Sequence, residues 1–259
     1  MAMFRVTPDP VNLDRSIQST IDWLDRRAHS SCVRSGDELP LMFRWGFRLW
    51  PARCLICRRV ADLRYLDLCR RCLQSLPFRA EAVTESEMVP LHFVPPVDEG
   101  LRALKFRADW RWAAVFGALL AGWSHARGVA PVALLLPMPL HATRRAERGF
   151  NQAAQIARFA AIWLGVPVDD RALVRIRATQ PQTTLSATER RDNVRAAFDV
   201  HPRSRLRVAA PTAVALIDDV RTTGATLAAA SETLETVSGL TVQCWAVAST
   251  MPTNTARPA

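Results

Sequence analysis

The stretch from Ala213 to Thr226 restricts the possible folds more than any other part of the chain. A wholly apolar run, Ala213 to Ile217, ends in two adjacent carboxylates, Asp218 and Asp219, and Gly224 then opens a helical pattern, ATLAAASETLETVS, that Gly239 closes. An apolar run this short, bounded by turn residues, reads as a strand buried on both faces, and such strands belong to parallel sheets covered by helices. Another strand, Thr241 to Val247, follows the helix. Upstream the alternation repeats: helical spacing over 97–106 and 111–126, the strand run Val132 to Leu136, a loop at Pro137 to Leu140, and a helix from Gln152 to Leu164 stopped by Gly165 in the position that favours glycine. The expected fold is α/β, a parallel sheet with helices on both faces over residues 88–250, reached through the polar linker RAEAVTESEMVP and followed by a tail at 251–259.

In such sheets ligands sit at the carboxyl ends of strands, where loops lead into helix N-termini. Thr222, Thr223, Gly224, Ala225 and Thr226 offer backbone N–H groups, three hydroxyls and a glycine at the turn, the makings of a phosphate cradle. Asp218 and Asp219 would repel phosphate, so they suit the neutral hydroxyls of a sugar that carries it. The ligand class implied is a sugar phosphate. GxxxxGK[ST] is absent and no GxGxxG follows a strand, which excludes the common nucleotide loops. The plainer alternative is a buried strand with an Asp-rich turn.

Four of the six cysteines fall into Cys54-x2-Cys57-x11-Cys69-x2-Cys72. In a reducing compartment, two such pairs point to thiolate ligation of a structural Zn²⁺ in a small ribbon over residues 51–80. A ribbon this size buries too little apolar surface to fold alone, so zinc is part of its fold; chelation is expected to unfold it while sparing much of the α/β domain. A redox pair is the alternative, without a thioredoxin-like setting around either pair. Cys32 and Cys244 stand apart. Residues 1–50 show no sustained period and read as an extension without its own core, poorly ordered; a translation start at Met42 would remove most of it.

A net charge of +10 and a pI near 10.7 favour phosphate-rich ligands or nucleic acid, although biased coding towards Arg gives the same balance. Lys105 is the single lysine among 34 basic residues, a compact ammonium where the chain otherwise uses Arg. The longest apolar run, Ala113 to Trp123, is too short to span a bilayer, and no secretory signal opens the chain; no membrane insertion and a cytoplasmic location are expected.

Leu216 to Thr226, LIDDVRTTGAT, closely resembles the phosphoribosyl diphosphate (PRPP) motif of type I phosphoribosyltransferases. The wider order of zinc ribbon, LRALKF, PMPLHATRRAERGFNQA, TQPQTTLSATERRDNVRAAF and that motif resembles the ComF family of competence-associated proteins, over residues 50–250. The resemblance implies a type I phosphoribosyltransferase-like domain binding PRPP with Mg²⁺, a transferase of pentosyl groups in the glycosyltransferase class. It implies that Asp218 and Asp219 contact the ribose 2- and 3-hydroxyls and that residues 222–226 hold the 5-phosphate. Pro137 and Met138 would belong to a loop facing the diphosphate, Arg148 and Asn151 would reach the anion, Lys105 would supply a cation, and a hood loop would cover 180–193. The family further implies a role in natural transformation, beside single-stranded DNA and a competence helicase. No residue announces the acceptor substrate. The alternative is therefore a non-catalytic single-stranded-DNA-binding or nucleotide-sensing accessory factor, with Arg53, Arg58, Arg59, Arg70 and Arg71 on the ribbon as DNA contacts. Phe106 departs from the family pattern, which commonly has tyrosine there. Trp110 and Trp112 read as packing residues, although Arg-flanked indoles are also what single-strand binders use.

Overall fold

A computed structural model describes residues 10–34, 52–63, 65–79, 86–176, 197–202, 204 and 213–250. Strands β1 (Glu87–Met88) and β2 (Leu91–His92) both pair with β7 (Val242–Ser249), which pairs in turn with β6 (Val214–Arg221), and β6 with β3 (Leu134–Pro137); every pairing is parallel. The alternation of side chains along these strands feeds two separate cores. Leu135, Ala215, Ile217, Trp245 and Val247 face one side, and Leu134, Leu136, Val214, Leu216 and Ala246 the other. The first side is covered by α3 (Val97–Arg107), α4 (Trp110–Ala126) and α6 (Gln152–Leu164), the second by α7 (Ala225–Ser238) and the antiparallel pair β4 (Leu173–Arg175) and β5 (Phe198–Val200). The parallel sheet with helices on both faces is therefore present.

The sequence places the stops well. Gly165 and Gly239 close α6 and α7 in the left-handed conformation, at φ 73° and 66°. The strands run further than their apolar runs: β6 continues through both aspartates to Arg221, pairing Asp218 with Ala246 and Val220 with Ala248. Backbone pairing does not end where hydropathy does, because the ladder uses main-chain groups that every residue carries.

Within residues 1–50, the described part, 10–34, does bury side chains in the core. Helix α1 (Pro10–Arg34) buries Ser16, Ile17, Thr20, Ile21 and Leu24 in one stripe. Two positions of that stripe are hydroxyls, which hides it from a hydropathy period. Ser16 Oγ donates to Asn12 O and Thr20 Oγ1 to Ser16 O, so both donate inside their own helix, while Ser16 Oγ also accepts from Arg127 Nη1 at 3.4 Å. Thr20 packs so closely on α4 that a Cβ added at Gly122 would lie 2.7 Å from its Cγ2.

The cysteine module, which includes the short helix α2 (Arg70–Gln74), is not a separate island either. Leu55, Leu63, Leu68, Leu73 and Leu76 belong to the same continuous core as α1, α3 and α4. Helix α1 stitches it in place: Asp25 accepts from Tyr65 Oη at 2.6 Å and from Arg70 Nη2 at 2.8 Å, and Arg27 Nε donates to Trp163 O at the end of α6. The expected hood segment, 180–193, lies outside the described residues.

Candidate functional site

Strand β6 carries Asp218 and Asp219 to the carboxyl end of the sheet, where residues 222–224 turn the chain into α7. Gly224 is required at that turn. Its φ is +79°, and a Cβ there would meet Arg221 Nε at 3.3 Å. Gly224 has no side chain to cap α7, and its carbonyl already accepts from Ala228 N, so the helix presents its first N–H groups at an uncapped N-terminus. Thr222 and Thr223 are exposed beside it, with Thr223 Oγ1 3.4 Å from Ala225 N. Arg221 itself turns back and ion-pairs with Glu87 on β1, which ties the base of the loop to the sheet edge.

The two carboxylates differ sharply. Asp219 is buried at 5% exposure and forms an ion pair with Lys105, whose side chain is 21% exposed in the last turn of α3. Burial pushes the Asp219 carboxyl up, but the Lys105 ammonium, with hydrogen bonds from Lys105, Asp218 and Gln152, holds it below the usual carboxylate range. Asp218 goes the other way: burial and the neighbouring Asp219 charge raise it well above that range, even though its Oδ1 accepts Asp219 N–H at 2.8 Å. Two acids that share a site do not ionise equally easily, and here their surroundings push the pair apart. Lys105, singled out by composition alone, thus meets one of the two acids singled out by the loop.

A second line of contacts reaches the same point from α5 (Ala142–Arg148) and α6. Arg148 Nη1 donates to Gln152 Oε1 at 3.1 Å, and the Gln152 side chain hydrogen-bonds Asp219. The Arg148 guanidinium also lies 5.6 Å over the ring of Phe106. Asn151 is placed differently from the expectation that it reaches an anion. As the N-cap of α6 it accepts from Ala153 N at 3.0 Å and donates to Met138 O at 2.9 Å, so it holds the turn after β3. Pro137 is the last residue of β3 rather than the first of a loop, and the Met138 side chain is buried in the core at 5% exposure. The Met138 backbone is engaged as well, its N–H donating to Ile217 O at 2.8 Å and its carbonyl accepting from Asn151, and Pro137 has no N–H, so these two residues keep no open donor for an anion.

Sequence reasoning missed Arg175. It sits at the end of β4 with its guanidinium 5.7 Å from the Phe198 ring; burial lowers its pKa, with the Arg144 charge adding and the Asp218 charge opposing. In sequence nothing separates it from the chain's other arginines.

The four expected metal ligands do converge. Cys54, Cys57, Cys69 and Cys72 bring their sulfurs within 4.8 Å of one another, with Cys57 and Cys69 at 3.7 Å. A tetrahedral metal with sulfur arms of about 2.3 Å requires sulfur separations of roughly 3.8 Å, so the donor set fits a structural ion. Burial pushes the Cys54 thiol up, but hydrogen bonds from the backbone N–H groups of Cys57, Cys69 and Ile56 bring it down to about 7. Among the described residues no helix is long and apolar enough to cross a membrane.

No family model matches the chain. The DNA utilization protein YhgH of Escherichia coli O157:H7 is 34% identical over 187 residues, covering 71% of this chain and 78% of that protein. Competence protein F of Haemophilus influenzae is 29% identical over 228 residues, covering 76% and 96%. Among solved structures, adenine phosphoribosyltransferase from Leishmania tarentolae matches 57% of this chain and 74% of its own at 15% identity, with a TM-score of 0.35, a likeness too loose to carry an argument.

Proposed function

The chain belongs to the ComF family, and from that premise we propose that the loop after β6 binds PRPP with Mg²⁺ in a protein that serves DNA uptake and utilisation. The observation that supports this most is the ion pair of Lys105 with Asp219 at a strand end, directly before an uncapped helix N-terminus flanked by exposed threonines. A carboxylate kept ionised in a buried place accepts hydrogen bonds from sugar hydroxyls, while residues 222–226 supply the N–H and O–H donors that a terminal phosphate needs. Lys105 then acts by keeping Asp219 charged. Arg148 supplies the cation for the diphosphate end. Bound Mg²⁺ would offset the diphosphate charge, with Asp218 the carboxylate left to help hold it, since Asp219 is engaged. The chemistry that this supports is pentosyl transfer, in which diphosphate leaves C1 of the ribose as an acceptor nucleophile closes on it. The four cysteines hold zinc as a structural ion.

Calorimetry of PRPP with Mg²⁺ tests the loop. Wild type should bind, and the double variant Asp218→Asn, Asp219→Asn should lose about 10²-fold or more, because two charge-assisted contacts are worth roughly 1.5–3 kcal/mol each. No binding to wild type would defeat the reading. Diphosphate release in the presence of candidate bases separates an enzyme from a sensor. A second reading, a non-catalytic factor acting on single-stranded DNA, is favoured by the +10 charge; the names of the relatives, a DNA utilization protein and a competence protein, agree with it.

A further inference from the structure

The junction between α3 and α4 and the junction between α5 and α6 meet through two ring contacts. Arg148 covers the Phe106 ring, and Trp110 lies against Phe150 with ring centroids 5.2 Å apart. Yet these rings are not core. Phe106 is 73% exposed and Trp110 37%, two of the few large apolar side chains that the described residues leave at the surface. A phenyl ring held on a guanidinium while most of it faces water is a prepared stacking surface, since the cation fixes its orientation and leaves area to be buried.

The surroundings say what would bury it. Segments 102–111 and 141–150 together carry six arginines; Arg102 pairs with Asp98 and Arg111 with Asp109, so the ridge is carried by Arg107, Arg144, Arg145 and Arg148. Arg107, Arg144 and Arg145 are exposed. Exposed rings interleaved with cations on one ridge match a ligand whose planar groups alternate with phosphates. A folded protein partner would supply neither so regularly, and duplex DNA keeps its bases stacked inside.

We propose that this ridge binds single-stranded DNA, with a base stacked on Phe106 and the strand's phosphates against Arg107, Arg144 and Arg145. The inference rests on the DNA role proposed above and not on PRPP binding. It also moves the DNA contact from the ribbon arginines to the mouth of the sugar phosphate site, to which Arg148 and Gln152 connect the ridge.

The probe is a fluorescently labelled oligo-dT, with binding to the full-length, zinc-loaded protein followed by anisotropy over a salt series. Phe106→Ala should weaken it about 5- to 150-fold, the loss of one stacked base, and Phe106→Trp should restore it. The salt slope should stay unchanged in Phe106→Ala, because no charge is removed. In Arg144→Ala, Arg145→Ala it should flatten by about 1.4, or 0.7 for each phosphate of a single strand that is no longer neutralised. Wild-type affinity in Phe106→Ala, or no oligo-dT binding by wild type, overturns the proposal. Loss of PRPP binding in wild type with oligo-dT binding intact would sink the transferase reading and leave the ridge standing.

Discussion

Replacing Lys105 with Met removes the ammonium and keeps most of the apolar stem, so the change isolates charge from packing. What remains is Asp219, buried at 5% exposure, beside Asp218 and without its cation. Breaking a buried ion pair from one side costs about 3–5 kcal/mol, and since the Lys105 side chain is 21% exposed the lower end, about 3 kcal/mol, applies here. For a chain of this size each kcal/mol shifts Tm by about 2–4 °C, so thermal unfolding at pH 7 should fall by about 6–12 °C. The pH dependence gives a second reading. In wild type the Asp219 carboxyl is held low, so its contribution is present above the unfolded value near 3.9 and is lost as the pH falls through the lower folded value. Without Lys105 burial is opposed only by the hydrogen bonds of Asp218 and Gln152, the carboxyl rises, and the penalty grows with pH above about 4. The Tm deficit of Lys105→Met should therefore shrink between pH 7 and pH 4.5. Adding Asp219→Asn removes the stranded charge and should recover at least half of the loss. A double variant as unstable as Lys105→Met, or a deficit that does not change with pH, would refute an electrostatic origin.

Asp218 predicts the opposite sign. Its carboxyl is raised by burial and by Asp219, so its contribution to stability is present below about 3.9 and is lost as the pH rises through the folded value; Asp218→Asn should therefore stabilise the ligand-free protein at pH 7–8 by about 0.5–2 kcal/mol, with the gain vanishing near pH 4, as urea titrations at the two pH values would show. Chelation should do more than unfold a ribbon. The cysteine module shares its core with α1, α3 and α4, so removing zinc should lower the main thermal transition of the α/β domain, read from tryptophan fluorescence, and an unchanged transition would show the module to be independent.

What the sequence reveals depends on which physical signal carries each element. The β6 run, the stops at Gly165 and Gly239 and the cysteine spacing are legible because apolarity, left-handed φ and metal geometry each leave a residue-level mark. Helix α1 is not, since Ser16 and Thr20 bury hydroxyls that donate to carbonyls of their own helix, and a hydropathy period counts them as polar. The acids of the site and Lys105 are each visible alone, but their pairing is a long-range fact between α3 and β6. Asn151 is ambiguous for a related reason: a polar residue at a helix start reads equally well as a ligand contact or as a cap, and its cap and its bond to Met138 O become visible only in three dimensions. Arg175 leaves no mark at all among so many arginines.

The charge balance at the strand end decides how the site can treat a polyanion. Lys105 is engaged by Asp219, with Asp218 beside it, so the single lysine adds little net attraction for a diphosphate. That attraction has to come from cations that no buried acid neutralises, and Arg148 is placed for it, half-buried and bonded through Gln152 to the same Asp219. Arg144, whose charge acts on Arg175, extends the positive wall. The lone lysine is then explained by its neighbour more than by the ligand. Asp219 needs a compact point charge that leaves its remaining lone pairs open to sugar hydroxyls, whereas the two-pronged guanidinium of an arginine would occupy both oxygens.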